Sequence, residues 1–211
     1  GKTSQDEFGC GGFSINTDNI PKNPVDNKRS CGGSSGGAAC FTKLTKNPHV
    51  AIAESTGGSI ANPASFCGVA GLTPTYGLVS RYGLIDYANS LDKIGVMAKT
   101  TQEIKPVFDV IKGHDPKDST SLKVQKNSEN KTKKIAIIKE TFEINPEIKN
   151  AVLSNLKNYD TISLPLVKKY SIPTYYIIAM SEASTNLAKY CGLRYGQTLP
   201  LKGNFNEFFS A

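Results

Sequence analysis

Two glycine-rich runs present serine hydroxyls: Gly32-Gly33-Ser34-Ser35-Gly36-Gly37 and Thr56-Gly57-Gly58-Ser59. A nucleophilic serine needs an accessible hydroxyl, a route for its proton, and N–H groups aimed at the oxyanion that develops on attack. In the second run Gly57 and Gly58 let consecutive N–H groups face a substrate with no Cβ in the way. Thr56, Gly57 and Gly58 are the candidate oxyanion donors, and Ser59 is the candidate nucleophile. Its proton needs an acceptor. The chain has two histidines, His49 and His114. One follows a proline in a polar stretch and the other lies in a turn-rich loop, so neither context favours a Ser-His-Asp triad. A lysine held neutral by burial or by its neighbours is the alternative, and a second serine can relay the proton.

The first run admits plainer readings. No lysine adjoins it, as a phosphate loop requires, and its glycines lack the Gly-x-Gly-x-x-Gly spacing of a dinucleotide-binding turn. A flexible turn remains the structural alternative.

The elements around these runs follow from local pattern. Small and apolar residues from Ala38 predict a closely packed helix, with the glycines as its entry turn. The Val/Ile-bearing run 49–55 predicts a buried strand that ends at the Thr-Gly-Gly-Ser turn, and Pro63 suits the first turn of a short helix. Residues 73–95, punctuated by glycine and aromatics, read as irregular structure with short strands lining a cavity. A helix is expected over 100–113, capped by Thr100 or Thr101 with Glu103 as box partner, although Pro106 falls inside it. Further on, 134–140 reads as a buried strand, 145–159 as a helix capped by Asn145, Thr161–Val167 as a strand, and 171–190 as a long helix. Alternating strands and helices point to an α/β fold with parallel pairing.

Composition narrows the class. The 211 residues carry 38% hydrophobic and 20% charged side chains, ordinary for one sizeable core. No apolar run reaches membrane-spanning length, and the first residues lack the layout of a secretory signal. The chain does not start with Met, which suggests that it begins mid-protein. The net charge of +7 owes much to the polar, Lys-rich loop 123–134. A solvated loop is the plain reading there and nucleic-acid contact the sharper one. Five cysteines with no Cys-x-x-Cys spacing support neither a zinc site nor a secreted disulfide framework, so reduced thiols are expected.

The run Gly32–Gly37, followed by "TGGSIANPASFCGVAGLTPTYG", strongly resembles the amidase signature family. The resemblance implies an α/β amidase-signature fold with a mixed, largely parallel central sheet covered by helices. Residues 1–211 would form the central part of one such domain. It also implies a Ser-cisSer-Lys triad, with Ser59 as the acyl-forming nucleophile and Ser34, after a cis peptide bond, as the bridging serine. The catalytic lysine would lie upstream of this sequence, and Lys2 belongs to another block. The blocks "GKTSQDEFGCGG", "SRYGLIDYANSLDKIG", "GHDPKDSTS" and "SEASTNLAKYCGLRYG" resemble the branch of the family formed by glutaminase subunits of tRNA-dependent amidotransferases. That branch implies glutamine as substrate, with Tyr195 and Cys10 at the glutamine pocket. Its partners would be a small third subunit plus a tRNA-binding B-type subunit. Released ammonia would convert Glu-tRNA(Gln) to Gln-tRNA(Gln) with ATP and Mg consumed at the partner, and no cofactor in this chain. Basic charge and the Lys/Asn-rich loop suit the mitochondrial matrix, with the cytoplasm as alternative.

Departures keep other classes open. The family commonly reads Asp-Thr-Gly-Gly-Ser-Ile-Arg, whereas this chain has Ser55 for the Asp and Ala61 for the Arg, so a supporting ion pair is expected to be absent. The spacing between the two serines is one residue longer than usual. A stand-alone amidase acting on small or fatty acyl amides, and an inactive scaffold paralogue, are the alternatives.

Overall fold

The computed structural model describes residues 21–123, 134–190, 195, 203–204 and 206–207. Helix α1 (Gly36–Leu44) leads to strand β1 (Val50–Ser55), helix α2 (Ala61–Cys67) and strand β2 (Ala70–Leu72). After a long irregular stretch come strand β3 (Lys93–Ala98) and helix α3 (Thr101–Ile111). From residue 134 onward lie β4 (Ala136–Ile138), a 3-10 turn (Lys139–Phe142), α4 (Pro146–Leu153), β5 (Asp160–Ile162) and α5 (Pro165–Leu187).

β3 is the central strand of a three-stranded sheet and runs antiparallel to both neighbours. Val50 to Ser55 pair with Ala98 down to Lys93, and Ala70 to Leu72 with Ala98 to Val96. Alternate residues of β3 therefore face opposite layers. Met97 joins Ala53, Ile60, Ala64, Cys31, Ala39, Cys40 and Cys67 beneath α1 and α2. Val96 and Ala98 pack with Ile104, Val107, Phe108 and Ile111 of α3. The alanines and cysteines of the first layer are small, so two helices lie close to the sheet at the point where the glycine runs meet it.

Several expectations hold. β1, α1 and α2 fall where pattern and turn chemistry put them, and Thr100 with Glu103 forms a complete capping box on α3. Pro106 sits inside that helix, at an exposed position where water can take the carbonyl it leaves unpaired. Asn145 caps α4 through Oδ1, which accepts from Glu147 N at 2.8 Å.

Others are corrected. Among the described residues, parallel pairing joins only β4 and β5, while the sheet that carries the serine turns is antiparallel. There the chain inserts the irregular stretch 73–92 between β2 and β3 rather than a crossover helix. The 134–140 strand shortens to three residues, none fully buried, before the 3-10 turn. α4 ends at Leu153, six residues before Tyr159, because residues 154–158 turn back toward β5. α5 starts at Pro165 rather than 171, with a proline in its first turn where the missing N–H leaves nothing unpaired.

Candidate active site

β1 delivers Ser55 opposite Lys93 at the end of the antiparallel ladder, and the chain then turns through Thr56–Ser59 into α2. The carbonyl of Gly58 accepts from Asn62 N at 2.8 Å, which fixes the exit of the turn. On the other side, Ser35 is the residue before α1, and its carbonyl accepts from Ala39 N at 3.1 Å.

Three bonds tie the first glycine run to the second and to the residues that flank it. Ser35 N donates to the carbonyl of Ser59 at 3.2 Å. Ser35 Oγ donates to the carbonyl of Glu54 at 3.0 Å. Gly33 N donates to Asn62 Oδ1 at 3.1 Å. Runs that begin 24 residues apart thus form one structure, and the peptide joining Ser34 to Ser35 lies against Ser59. The Gly33–Ser34 peptide bond is cis. Gly32 adopts a positive φ of 72°, and a Cβ there would strike the Asn62 side chain.

Accessibility differs along the turn. Ser59 is 6% exposed, Ser34 half-buried, Gly57 exposed. A Cβ built on Gly58 would meet no atom within 4 Å, so one side of the turn opens to free space beside the buried serine. On Gly57 it would collide with the ring and hydroxyl of Tyr175, from α5. A side chain at 57 would force the Tyr175 ring or the turn to shift.

The turn is anchored by acids that the motif does not announce. Asp92, 1% exposed, accepts the Thr56 hydroxyl at 2.6 Å through Oδ1, and the amides of Tyr87 and Ala88 at 2.9 and 3.0 Å through Oδ2. Glu54 Oε1 lies 2.8 Å from the same hydroxyl. Burial pushes the Asp92 carboxyl above its usual range, while these hydrogen bonds oppose the shift. Burial also lowers Lys93, against the pull of Asp92 and Glu54. Arg81 donates to the carbonyl of Asp92 at 3.4 Å and to Thr120 Oγ1 at 2.9 Å, and stacks on Tyr76 at 4.8 Å. From α5, Glu182 accepts from Ser90 N at 3.0 Å, and Asn186 donates to the carbonyl of Tyr87 at 3.1 Å.

Ser34, Ser59, Thr56, Gly57 and Gly58 therefore come together. Tyr195 stands edge-on to Tyr190 at 5.2 Å with half its surface exposed, and Cys10 lies outside the described residues. His49 packs edge-on against Phe41, and His114 Nδ1 pairs with the carbonyl of Ser121 at 3.3 Å. Cys31, Cys40 and Cys67 are buried in the first core layer and form no disulfide. Asp92, Glu54, Asn62 and Tyr175 escaped sequence reading. Asn62 alone had a local signal, as a polar side chain in the first turn of a helix that follows the nucleophile.

A serine on a strand-to-helix turn, whose carbonyl accepts the amide of the residue that follows a cis Gly-Ser unit, is an arrangement suited to acyl transfer. The chain belongs to the amidase family, whose sequence profile it matches over residues 1–209. Among curated relatives it is 44% identical, over its whole length, to the A-type subunit of glutamyl-tRNA(Gln) amidotransferase from a Sulfurihydrogenibium species, covering 46% of that protein. It is 46% identical to the corresponding subunit of a Picosynechococcus species, again over its whole length and 47% of the relative. The chain thus spans just under half the length of these relatives. Among solved structures it resembles the same A-type subunit of the amidotransferase from Thermotoga maritima, with TM-score 0.70 and 36% identity over 81% of this chain and 40% of that one. It also resembles the native peptide amidase of Stenotrophomonas maltophilia, with TM-score 0.70 and 25% identity over 86% of this chain and 40% of that one.

Proposed function

We propose that the protein is the glutaminase subunit of a tRNA-dependent amidotransferase. The observation that carries the reading is the joined pair of serine turns with an open side at Gly58, in a chain whose amidotransferase relatives are 44–46% identical. Ser59 Oγ attacks the side-chain amide carbon of glutamine, and its proton passes through Ser34 toward a lysine supplied by the remainder of the protein. The N–H groups of Thr56, Gly57 and Gly58 hold the oxyanion, each worth on the order of 100-fold or more in turnover. Ammonia leaves as the tetrahedral intermediate collapses to an acyl-enzyme, and water then releases glutamate and restores Ser59.

The rest of the proposal follows the same kinship. A tRNA-binding B-type subunit, with ATP and Mg, would use the ammonia to convert Glu-tRNA(Gln) to Gln-tRNA(Gln), and a small third subunit would complete the assembly. Tyr195 and Cys10 would line the glutamine pocket. The mitochondrial matrix suits the basic Lys/Asn-rich segment. In the whole domain the described sheets would join a mixed, largely parallel sheet covered by helices.

The test is ammonia release from glutamine by the full-length protein with its partner subunits. Ser59→Ala is expected to lower kcat by roughly 10³-fold or more, and unchanged release would remove the nucleophile. The peptide amidase likeness supplies the second reading, a stand-alone amidase. Preference for simple amides over glutamine, in a protein that purifies without partners, would favour it.

A further inference from the structure

We propose that Glu182 and Asn186 of α5 are positioning residues for the turn that presents Ser59: they hold residues 86–92, and those residues hold Thr56 through Asp92. The effect on turnover rests on the reading of Ser59 as nucleophile. The mechanical link stands apart from that reading.

Two of the sequence blocks singled out above, residues 80–95 and 181–196, have no part in the chemistry assigned to the serines. In the fold they meet. Ala179 and Ala183 are the buried residues of α5, and Glu182 and Asn186 lie half-buried on the same face, at spacings of three and four. Alanines let the helix approach closely, and the longer polar side chains beside them reach the facing loop. Glu182 takes Ser90 at two points, Oε2 accepting its amide at 3.0 Å and Oε1 its hydroxyl at 2.5 Å. Asn186 Nδ2 donates to the carbonyl of Tyr87 at 3.1 Å and to Asn89 Oδ1 at 3.0 Å.

What α5 grips is the support of Asp92. The amides of Leu91 and Asp92 both donate to the carbonyl of Ala88, at 2.9 and 2.8 Å, so Ser90 sits inside a tight turn that ends at Asp92. The amides of Tyr87 and Ala88 hold Asp92 Oδ2, and Oδ1 accepts the Thr56 hydroxyl at 2.6 Å. Asp92 is 1% exposed, so its carboxylate has little freedom apart from these partners. A shift of Tyr87 or Ser90 therefore moves the group that anchors Thr56, three residues before Ser59. Docking of a helix needs only its apolar contacts, whereas these polar contacts converge on the one loop that reaches the turn.

The link is one support among several. Tyr76 and Arg81 hold the carbonyl of Asn89 from the side of the loop's own chain, and Glu54 Oε1 also lies 2.8 Å from the Thr56 hydroxyl. Loss of the α5 grip should loosen the turn without releasing it.

The test uses the full-length protein with its partner subunits and follows ammonia release from glutamine. Glu182→Ala is expected to lower kcat on the order of tenfold while KM stays within a few-fold. Glu182→Gln keeps an acceptor and a donor for Ser90 and recovers most of the loss. Thr185→Ala, which removes a bond to the carbonyl of Ser181 within α5, leaves turnover unchanged. A cycle with Thr56→Val tests the route through Asp92: once the Thr56 hydroxyl is gone, Glu182→Ala should cost no more than about a further twofold. Ser90→Ala, which removes a single prong of the grip, enters the same cycle should Glu182→Ala fold poorly. Losses that multiply independently, a KM effect at unchanged kcat, or full activity in Glu182→Ala would overturn the proposal. Amide hydrogen exchange over residues 56–59 reads the link without turnover. Glu182→Ala is expected to speed it and Thr185→Ala to leave it alone, and exchange identical to wild type in Glu182→Ala would overturn the link. Faster exchange at the turn, together with ammonia release indifferent to Ser59→Ala, would instead overturn the functional reading.

Discussion

Adding one methyl group at position 57 tests the placement of the turn that presents Ser59. A Cβ there would lie 2.6 Å from Tyr175 Cε2 and closer still to Cζ and the hydroxyl. Carbon atoms in contact settle near about 3.6 Å, so the turn or the ring must retreat by about 1 Å. Overpacking of this kind costs about 1–3 kcal/mol of stability. A displacement of about 1 Å in a catalytic group costs on the order of 100-fold in rate. Gly57→Ala in the full-length protein is therefore expected to lower kcat for glutamine by roughly 10- to 100-fold while leaving KM within a few-fold. Removing the obstruction supplies the control. In Gly57→Ala/Tyr175→Ala the methyl group has room, so the double variant should turn over faster than Gly57→Ala alone. The readout is steady-state ammonia release from the four members of this cycle. Full activity in Gly57→Ala, or effects of the two substitutions that simply add, would refute the claim that Tyr175 sets the position of the turn.

Two other substitutions probe what holds the turns. Asn62→Ala leaves the buried Gly33 N–H without its acceptor, so equilibrium urea unfolding should show a loss of about 1–3 kcal/mol, with a fall in kcat because the loop bearing Ser34 loosens. Thr100→Ala removes half of the capping box of α3, remote from the serines, and should cost about 0.5–2 kcal/mol in the same unfolding experiment with no change in KM for glutamine.

What could be read in advance was local. A Val/Ile run ending in two glycines has few options, so β1, the turn and α2 were legible, as were the capping residues of α3 and α4. Ser34 and Ser59 could be named because their motif carries both positions in order. β2 was missed because three residues centred on a glycine give no alternation to read. The antiparallel sheet was missed because pairing depends on where the chain returns, and the 20 residues from 73 to 92 return it without a helix. Asp92 reaches Thr56 across 36 positions, and Tyr175 reaches Gly57 from another helix altogether. Such contacts are properties of the fold, and no spacing in the chain encodes them.

The connection between the two glycine runs is built largely from main-chain atoms: an amide of residue 35 to a carbonyl of residue 59, and a hydroxyl of residue 35 to a carbonyl of residue 54. Backbone atoms are common to every amino acid. The relative placement of the two hydroxyls is therefore insulated from drift in most flanking side chains. Evolution can re-dress this centre with new neighbours while its scaffold stays the same, and selection falls hardest on the few positions where a side chain must be absent.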